Sequence, residues 1–555
     1  MPIHLRPSSA HLIVGSIVFA LGVAAPCARA TDVGSDAHAL SMRSLAQHCQ
    51  DLRAFRFPAL VIEETLTVAA GPAAVPPGAP SAIPAAVLPA HCLLRATLAP
   101  RTAADGQHFG IGLELRLPAA WNGRFVFQGG GGLDGVLQPS LGNVAVGANP
   151  PALARGFAVV STDGGHRGKS LIDPRFALDQ QARIDYAYNA LDKTTLLAKA
   201  LIARFYGRAP QHSYFVGCSN GGRQALMAAE RLPLEFDGVV AGDPALRLTA
   251  VNVDEVWNEL VLARAAPKDA QGRPILSQAL TAPDLQLIAR AVLKECDALD
   301  GLADGMINDF RACHFDPAQL TCTSVKTPAC LSAVQVSALK ELMSGPHDSH
   351  GHALYAAFPY DAGIADPAFH QMHFGSSLTA RLNSADATLG FDSLRFYSMT
   401  PPDPAFDPLR FDFDRDAPRV LETAKINDAD SVFLSSFASH AKLIVYHGLS
   451  DQGLSPLDTL AWYERLGSAN AGDLHAWARL FLVPGMTHCA GGPATDQFDM
   501  LSAISAWVEQ GRAPDRITAQ GKAFPNLTRP LCPYPQVARY TGTDPSSETS
   551  FACKE

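Results

Sequence analysis

Tyr214-Phe-Val-Gly-Cys-Ser-Asn-Gly-Gly-Arg-Gln-Ala-Leu226 reads as a strand, a sharp turn and the start of a helix. Ser219 stands at the turn in a Gly-x-Ser-x-Gly frame, where Gly217 and Gly221 let strand and helix approach closely. The helix N-terminus also aims backbone N–H groups at the serine, where a developing oxyanion would sit. Small-residue turns produce this five-residue pattern by chance, so a structural strand-to-helix turn is the competing reading. The strand before it and the helix after it favour a nucleophile.

Working outward, runs with strand character cover 111–117, 124–128, 157–162, 214–217, 238–241, 443–447 and 480–483. Several are continuous apolar runs, the pattern of strands buried on both faces of a parallel sheet. Residues 185–206 have helical spacing, and strand and helix patterns alternate, which predicts an α/β fold. The stretch 69–90 is Ala/Pro-rich and reads as a surface loop without regular structure. From 244 to 430 strand periodicity fades, and four cysteines, an acidic loop and many Pro, His and aromatic residues appear. That segment reads as one insertion covering the site.

A serine hydroxyl needs a base, and the base needs an orienting carboxylate. In chain order Ser, acid, His, two loops at strand ends fit. Asp451 follows the strand at 443–447, in Tyr-His-Gly-Leu-Ser-Asp-Gln-Gly. His488 follows the strand at 480–483, in Pro-Gly-Met-Thr-His-Cys-Ala-Gly-Gly, 37 residues later. His440, His447 and His475 are nearby competitors, since most histidines are structural or lie at the surface. Cys218 precedes the serine and Cys489 follows the histidine. If Ser219 and His488 share a hydrogen bond, those two cysteines are close enough for a disulfide. Four glycines, Gly129 to Gly132, follow a strand and leave N–H groups uncovered; the alternative is a flexible loop.

The 555 residues are 47% hydrophobic, ample for a large core. Lys plus Arg total 44 and Asp plus Glu 53, and the net charge of -9 argues against a nucleic-acid or anionic-membrane surface. His4, Arg6, the apolar stretch 12–25 and Ala28-Arg29-Ala30 read as a secretory signal cleaved after Ala30. A membrane anchor or buried helix is the alternative reading of that stretch. Beyond it, no segment is apolar enough to span a bilayer. Of eleven cysteines, setting Cys27 aside leaves an even set, as expected for disulfides in an oxidising compartment. No Cys-x-x-Cys pair occurs, which argues against a cysteine zinc site. Cys296-Asp-Ala-Leu-Asp-Gly-Leu-Ala-Asp-Gly-Met-Ile-Asn-Asp309 gathers four aspartates in a spacing unlike an EF-hand. Converging carboxylates suit calcium, with a solvated acidic turn as the alternative.

With these motifs in place, the chain resembles the tannase and feruloyl esterase family, whose mark is the Cys-Ser, Asp, His-Cys arrangement. Trp121-Asn-Gly-Arg-Phe-Val-Phe-Gln-Gly-Gly-Gly-Gly132 resembles its oxyanion-loop segment, Ser161-Thr-Asp-Gly-Gly-His166 the strand end that follows, and Arg529-Pro-Leu-Cys-Pro-Tyr-Pro535 its C-terminal motif. The resemblance implies an α/β-hydrolase fold with a large inserted lid domain. Residues 1–30 would be the signal peptide, 31–243 and 431–555 the catalytic domain, and 244–430 the lid. It implies Ser219 as nucleophile, His488 as base and acid, Asp451 as orienting carboxylate, and the N–H groups of Gly132 and Asn220 as oxyanion hole. It implies a structural calcium held by Asp297, Asp300 and Asp304 with the carbonyls of Leu302 and Met306. It also implies the pairs Cys218–Cys489, Cys49–Cys92, Cys296–Cys313, Cys322–Cys330 and Cys532–Cys553.

Family members cleave small esters of phenolic and aromatic acids: feruloyl, galloyl and, in one branch, mono(2-hydroxyethyl) terephthalate. The lid stretch 370–397 offers Phe374, Phe391, Phe396, Arg381 and Arg395, of which Phe391 and Arg395 are the candidates for substrate contact. The terephthalate branch carries an arginine before a Gly-Phe pair; here Ala387-Thr388-Leu389 precedes Gly390-Phe391, with Arg381 or Arg395 as the alternative carboxylate partner. A feruloyl or galloyl ester is therefore the first expectation and the terephthalate monoester the second. An inactive binder of phenolic glycosides, or a peptidase or acyltransferase on the same scaffold, are the rival classes.

Overall fold

The computed structural model describes residues 39–73, 86–142, 150–470 and 472–555. The expected leader, Cys27 and most of the Ala/Pro-rich stretch lie outside these residues. The two ends of that stretch are not plain loop, because Gly71–Pro72 pairs antiparallel with Val87–Leu88.

One nine-stranded sheet organises the chain. Its strands, in chain order, are β1 (Leu60–Val68), β2 (His91–Thr102), β3 (His108–Pro118), β4 (Arg124–Gln128), β5 (Ala158–Thr162), β6 (His212–Cys218), β7 (Gly238–Gly242), β8 (Lys442–Gly448) and β9 (Ala478–Val483). Their spatial order is β1-β2-β3-β5-β4-β6-β7-β8-β9. β1, β2 and β3 pair antiparallel, as does β3 with β5, and every pair from β5–β4 to β8–β9 is parallel. Sequence reading found the last seven strands within three residues at each end and missed β1, whose exposed Val61 and Leu66 blur the pattern, and β2.

The apolar runs are continuous because each parallel strand is buried on both faces. Phe125, Phe127, Phe215, Leu443 and Val445 face one core, and Val126, Tyr214, Val216, Ile444 and Tyr446 the other. Helices α1 (Met42–Asp51), α2 (Ala190–Tyr206) and α3 (Asn220–Arg231) cover the first face. The second is closed by Met500, Leu501, Ile504 and Trp507 of a helix over Met500–Gln510. Residues 185–206, expected as one helix, open with a wide turn at Asp185–Asn189 before α2 proper.

Between β7 and β8 the chain leaves the sheet. This excursion carries α4 (Leu248–Ala265) and α5 (Ala282–Cys296) with a core of its own around Leu262, Ile288, Val292 and Leu339. A parallel sheet between helical layers, with a long excursion over its carboxyl edge, is the α/β-hydrolase arrangement the sequence predicts. No helix among the described residues is long and apolar enough to cross a membrane. The structure joins the five expected cysteine pairs, Cys49–Cys92, Cys218–Cys489, Cys296–Cys313, Cys322–Cys330 and Cys532–Cys553. Five disulfides point to an extracellular or periplasmic protein.

Candidate active site

Ser219 sits between the end of β6 and the first turn of α3, with φ 64° and ψ -128°. A serine in this region is strained, at a cost of about 1–3 kcal/mol, and stays only where its surroundings enforce it. They do so by contact. A Cβ on Gly217 would lie 2.4 Å from the carbonyl oxygen of Gly221, and one on Gly222 would lie 2.3 Å from that of Gly242. The serine N–H donates to Gly242 O at 3.0 Å, and its own carbonyl accepts from Arg223 N at 3.0 Å and Ala245 N at 3.2 Å.

Asp451 and His488 lie in the loops after β8 and β9. His488 Nδ1 is 2.7 Å from Asp451 Oδ2, which fixes Nε2 as the free ring nitrogen. Asp451 also accepts the N–H groups of Gly453 and Leu454, each at 2.9 Å. Burial opposes its charge, but the His488 and His447 rings beside it hold its carboxyl well below the usual range. Burial likewise opposes the imidazolium of His488, and the Asp451 carboxylate overrides it and pushes the ring up to about 9. Ser219 and His488 line one cavity. Among the described residues no hydrogen bond joins them, as is common in a site without substrate.

The Cys218–Cys489 disulfide lies against this group. Its sulfurs come within 3.5 Å of Asp243 Oδ2 and 3.8 Å of His488 Nε2. Asp243, directly after β7, escaped the sequence reading. It is fully buried, accepts Gly448 N at 2.8 Å, and lies with Asp451 and His488 in one tight cluster. Burial and the nearby Asp451 charge raise its carboxyl to about 7. Of the competing histidines, His447 is buried beside Asp451 but spent on structure: Nδ1 meets Thr459 Oγ1 at 2.9 Å and Nε2 meets Leu454 O at 3.0 Å. His440 and His475 are not among the residues lining the cavity.

Gly132 and Asn220 line the same cavity, and neither N–H has a partner among the described residues. Asp134 holds them together. Its carboxylate accepts Gly131 N at 3.2 Å, Asn220 Nδ2 at 2.7 Å and Gln224 Nε2 at 2.7 Å, tying the glycine loop to α3. The Tyr186 hydroxyl adds a second tie, 3.0 Å from Gly132 O and 3.1 Å from Asn220 Oδ1. The one sequence clue to Asp134 is its place just past the glycine run.

The cavity offers about 140 Å³ of space beside Ser219 and opens to solvent. Leu248 and Val251 of α4, with Leu133, Leu171, Met372 and Leu389, give it mostly apolar walls. Phe391 and Arg395, expected to touch substrate, do not line it. The segment 386–398 runs in wide helical turns that face Leu389 and Ser393 to the cleft. Phe391 packs instead against the Val253, Val256 and Leu394 cluster, and Arg395 is paired with Asp392 at 2.8 Å.

Asp297, Asp300 and Asp304 share one loop behind the Cys296–Cys313 disulfide. Asp304 Oδ2 is 2.5 Å from Arg529 Nη2, and Asp309 Oδ2 is 2.7 Å from Arg539 Nη2. Asp300 accepts Leu302 N at 3.0 Å and Asn308 Nδ2 at 2.6 Å. The carbonyl oxygens of Leu302 and Met306 accept no hydrogen bond among the described residues. The spare carbonyls and the carboxylates are donors of the kind a hard cation uses, but Asp297, Asp300 and Asp304 do not gather into one tight group among the described residues as Asp243, Asp451 and His488 do.

Residues 96–554 match the family model described as tannase and feruloyl esterase. The chain is 42% identical over 522 residues to the mono(2-hydroxyethyl) terephthalate hydrolase of Piscinibacter sakaiensis, covering 86% of each chain. It is 30% identical over 427 residues to a protein of Aspergillus flavus named "Probable feruloyl esterase B-2", covering 73% of this chain and 76% of that one. In fold it matches the crystal structure of feruloyl esterase B from Aspergillus oryzae, with a TM-score of 0.76 at 24% identity, over 92% of this chain and 100% of that one.

The double substitution Cys218→Ser/Cys489→Ser is expected to lower stability by about 2–4 kcal/mol in chemical denaturation. It should also cut ester turnover by roughly 10–100-fold, because loop ends that hold reacting groups lose their fixed spacing. Cys322→Ser/Cys330→Ser, in the excursion, should lower stability with little change in turnover. Equal loss of turnover in both variants would show that the first disulfide has no special part in the site.

Proposed function

Since the chain belongs to the tannase and feruloyl esterase family, we propose that it is a serine esterase acting on feruloyl or galloyl esters. That it is a carboxylic ester hydrolase follows from the family; the mechanism and the substrate class are our reading. The observation that carries it is the 2.7 Å contact of His488 Nδ1 with Asp451, in a cavity shared with Ser219.

In this reading Ser219 Oγ attacks the ester carbonyl while His488 Nε2 takes its proton. Asp451 stabilises the imidazolium and keeps the ring turned to the serine. The N–H groups of Gly132 and Asn220 receive the oxyanion, and their lack of other partners leaves them ready for it. His488 then protonates the departing alkoxide, and water, activated by the same ring, releases the acid from Ser219. Apolar walls suit an aromatic acyl group, and among the described residues no lysine or arginine lines the cavity. That favours a phenolic ester over one bearing a free carboxylate.

A second reading is favoured by the 42% identity to a mono(2-hydroxyethyl) terephthalate hydrolase. Against it stand Ala387-Thr388-Leu389, which hold no arginine before Gly390-Phe391, and the Arg395–Asp392 pair outside the cleft. The intact site weighs against an inactive binder.

We also propose a structural calcium on Asp297, Asp300 and Asp304 with the carbonyls of Leu302 and Met306. It would offset carboxylate repulsion and brace the 297–309 loop against the C-terminal segment that supplies Arg529 and Arg539. Residues 1–30 would serve as an export signal, in keeping with the five disulfides.

Ser219→Ala should lower kcat by at least about 10⁴-fold without loss of fold. In a panel of methyl ferulate, methyl gallate and mono(2-hydroxyethyl) terephthalate, the enzyme should favour one of the first two. Undiminished turnover by the alanine variant would refute the nucleophile, and preference for the terephthalate ester would refute the substrate class.

The neutral ring is the base, so kcat/KM should rise with pH along a limb whose midpoint is raised toward about 9, levelling off only above it. A limb near pH 6.5, the value of an unpaired histidine, would contradict the Asp451 pairing.

Chelation should lower the melting temperature by about 5 °C or more, reversed by added calcium but not by equal ionic strength. Identical melting with chelator and with calcium would rule the site out.

A further inference from the structure

α4 starts beside the nucleophile and runs away from it. Ala245 N donates to Ser219 O at 3.2 Å just before the helix begins. Its residues on the cavity are Leu248, Val251, Asn252 and Glu255, the i, i+3, i+4, i+7 spacing of a single helix face. From Leu248 to Glu255 the axis advances about 10 Å. The wall is therefore apolar near Ser219 and polar further along, where Ser393 joins from the opposite segment.

Glu255 is fixed in place. A Cβ on Gly390 would lie 2.6 Å from both its Cβ and its Oε2, so the 386–398 segment closes on it tightly. Asn252 Nδ2 donates to Glu255 Oε2 at 2.7 Å, and Ser398 Oγ in turn donates to Asn252 Oδ1 at 2.6 Å. The amide is thereby oriented as a donor toward Glu255. The other oxygen, Oε1, has no partner among the described residues. The same helix carries two further buried acids, Asp254 and Glu259, and a third, Asp386, is hydrogen-bonded to His373 at 2.8 Å.

We propose that Glu255, oriented by Asn252, is the specificity-determining group that hydrogen-bonds a hydroxyl on the aromatic ring of the acyl group. The inference rests on the phenolic-ester reading and deepens it by naming the group that distinguishes a hydroxylated ring from a bare one. Burial first, then the crowding by Asp386 and Asp254, raises the Glu255 carboxyl well above the usual range, which favours its neutral form. Oε2 then accepts from Asn252, and the proton sits on Oε1 as a donor to a phenolic oxygen. A bare ring forfeits that bond. A ring carboxylate would be buried among acids with no lysine or arginine on the cavity wall, a costly placement for a charge.

The test is kcat/KM of the full-length enzyme and of Glu255→Leu and Glu255→Gln on matched pairs. The pairs are methyl 4-hydroxycinnamate with methyl cinnamate and methyl 4-hydroxybenzoate with methyl benzoate, alongside mono(2-hydroxyethyl) terephthalate. The native enzyme should favour the hydroxylated member of at least one pair by about tenfold or more. Glu255→Leu should bring that ratio to about one by losing mainly the hydroxylated ester, and Glu255→Gln, which keeps a donor and the shape, should fall between. A ratio unchanged in Glu255→Leu, or in Glu255→Gln should the leucine variant not fold, overturns the proposal. So does a parallel fall on both members, which marks a purely structural role. Native preference for the terephthalate ester over both pairs would instead overturn the phenolic reading, and the pair ratios would still report separately on Glu255.

Discussion

Cys218 and Cys489 are bonded across the carboxyl ends of four neighbouring strands, β6 to β9, and the rest of the site is arranged around that link. The bond closes a separation of 271 residues, which by chain entropy alone contributes up to about 5 kcal/mol. Its local effect matters more. One sulfur precedes the strained Ser219 and the other follows His488, so the two loops are held at one spacing. Both Ser219 and Cys489 take positive φ, 64° in each case, as does Asp243 at 35°. Strained backbone gathers where the bridge and the close glycine contacts hold it.

Charge in the site is graded along the cleft. At one end two buried carboxylates, Asp243 and Asp451, face the rings of His447 and His488. The free His488 nitrogen is left pointing into the cavity. The middle is apolar, which excludes water and strengthens the electrostatics of the oxyanion donors. At the far end Asn252, Glu255 and Ser393 return polarity without adding a cation. An ester with an aromatic acid part and a neutral polar substituent matches that sequence of environments, whereas one with a carboxylate on the ring does not.

Much of this was legible in the sequence because it is encoded locally. Strand-turn-helix at 214–226, the glycine run at 129–132 and the loops bearing Asp451 and His488 are short patterns with fixed mechanical meaning. The flanking cysteines carried long-range information, since only a shared site makes Cys218 and Cys489 neighbours. What escaped was long-range without such a marker. Asp134 binds Asn220 and Gln224 nearly ninety positions away, and Asp243 meets Gly448 across the whole excursion. Phe391 and Arg395 were read by residue type, but wide helical turns at 386–398 put Leu389 and Ser393 on the cleft instead. Glu255 was passed over because three acids close together, Asp254, Glu255 and Glu259, read as a solvated face, whereas the helix buries all three.

The central claim is that Ser219 is the nucleophile activated by His488. Reaction with a fluorophosphonate, followed by peptide mass spectrometry, tests it without reference to any substrate. The account predicts one covalent adduct per chain, on Ser219, formed rapidly by the native protein and only very slowly by His488→Ala. An adduct on another residue, or labelling of Ser219 at the same rate without His488, would contradict it.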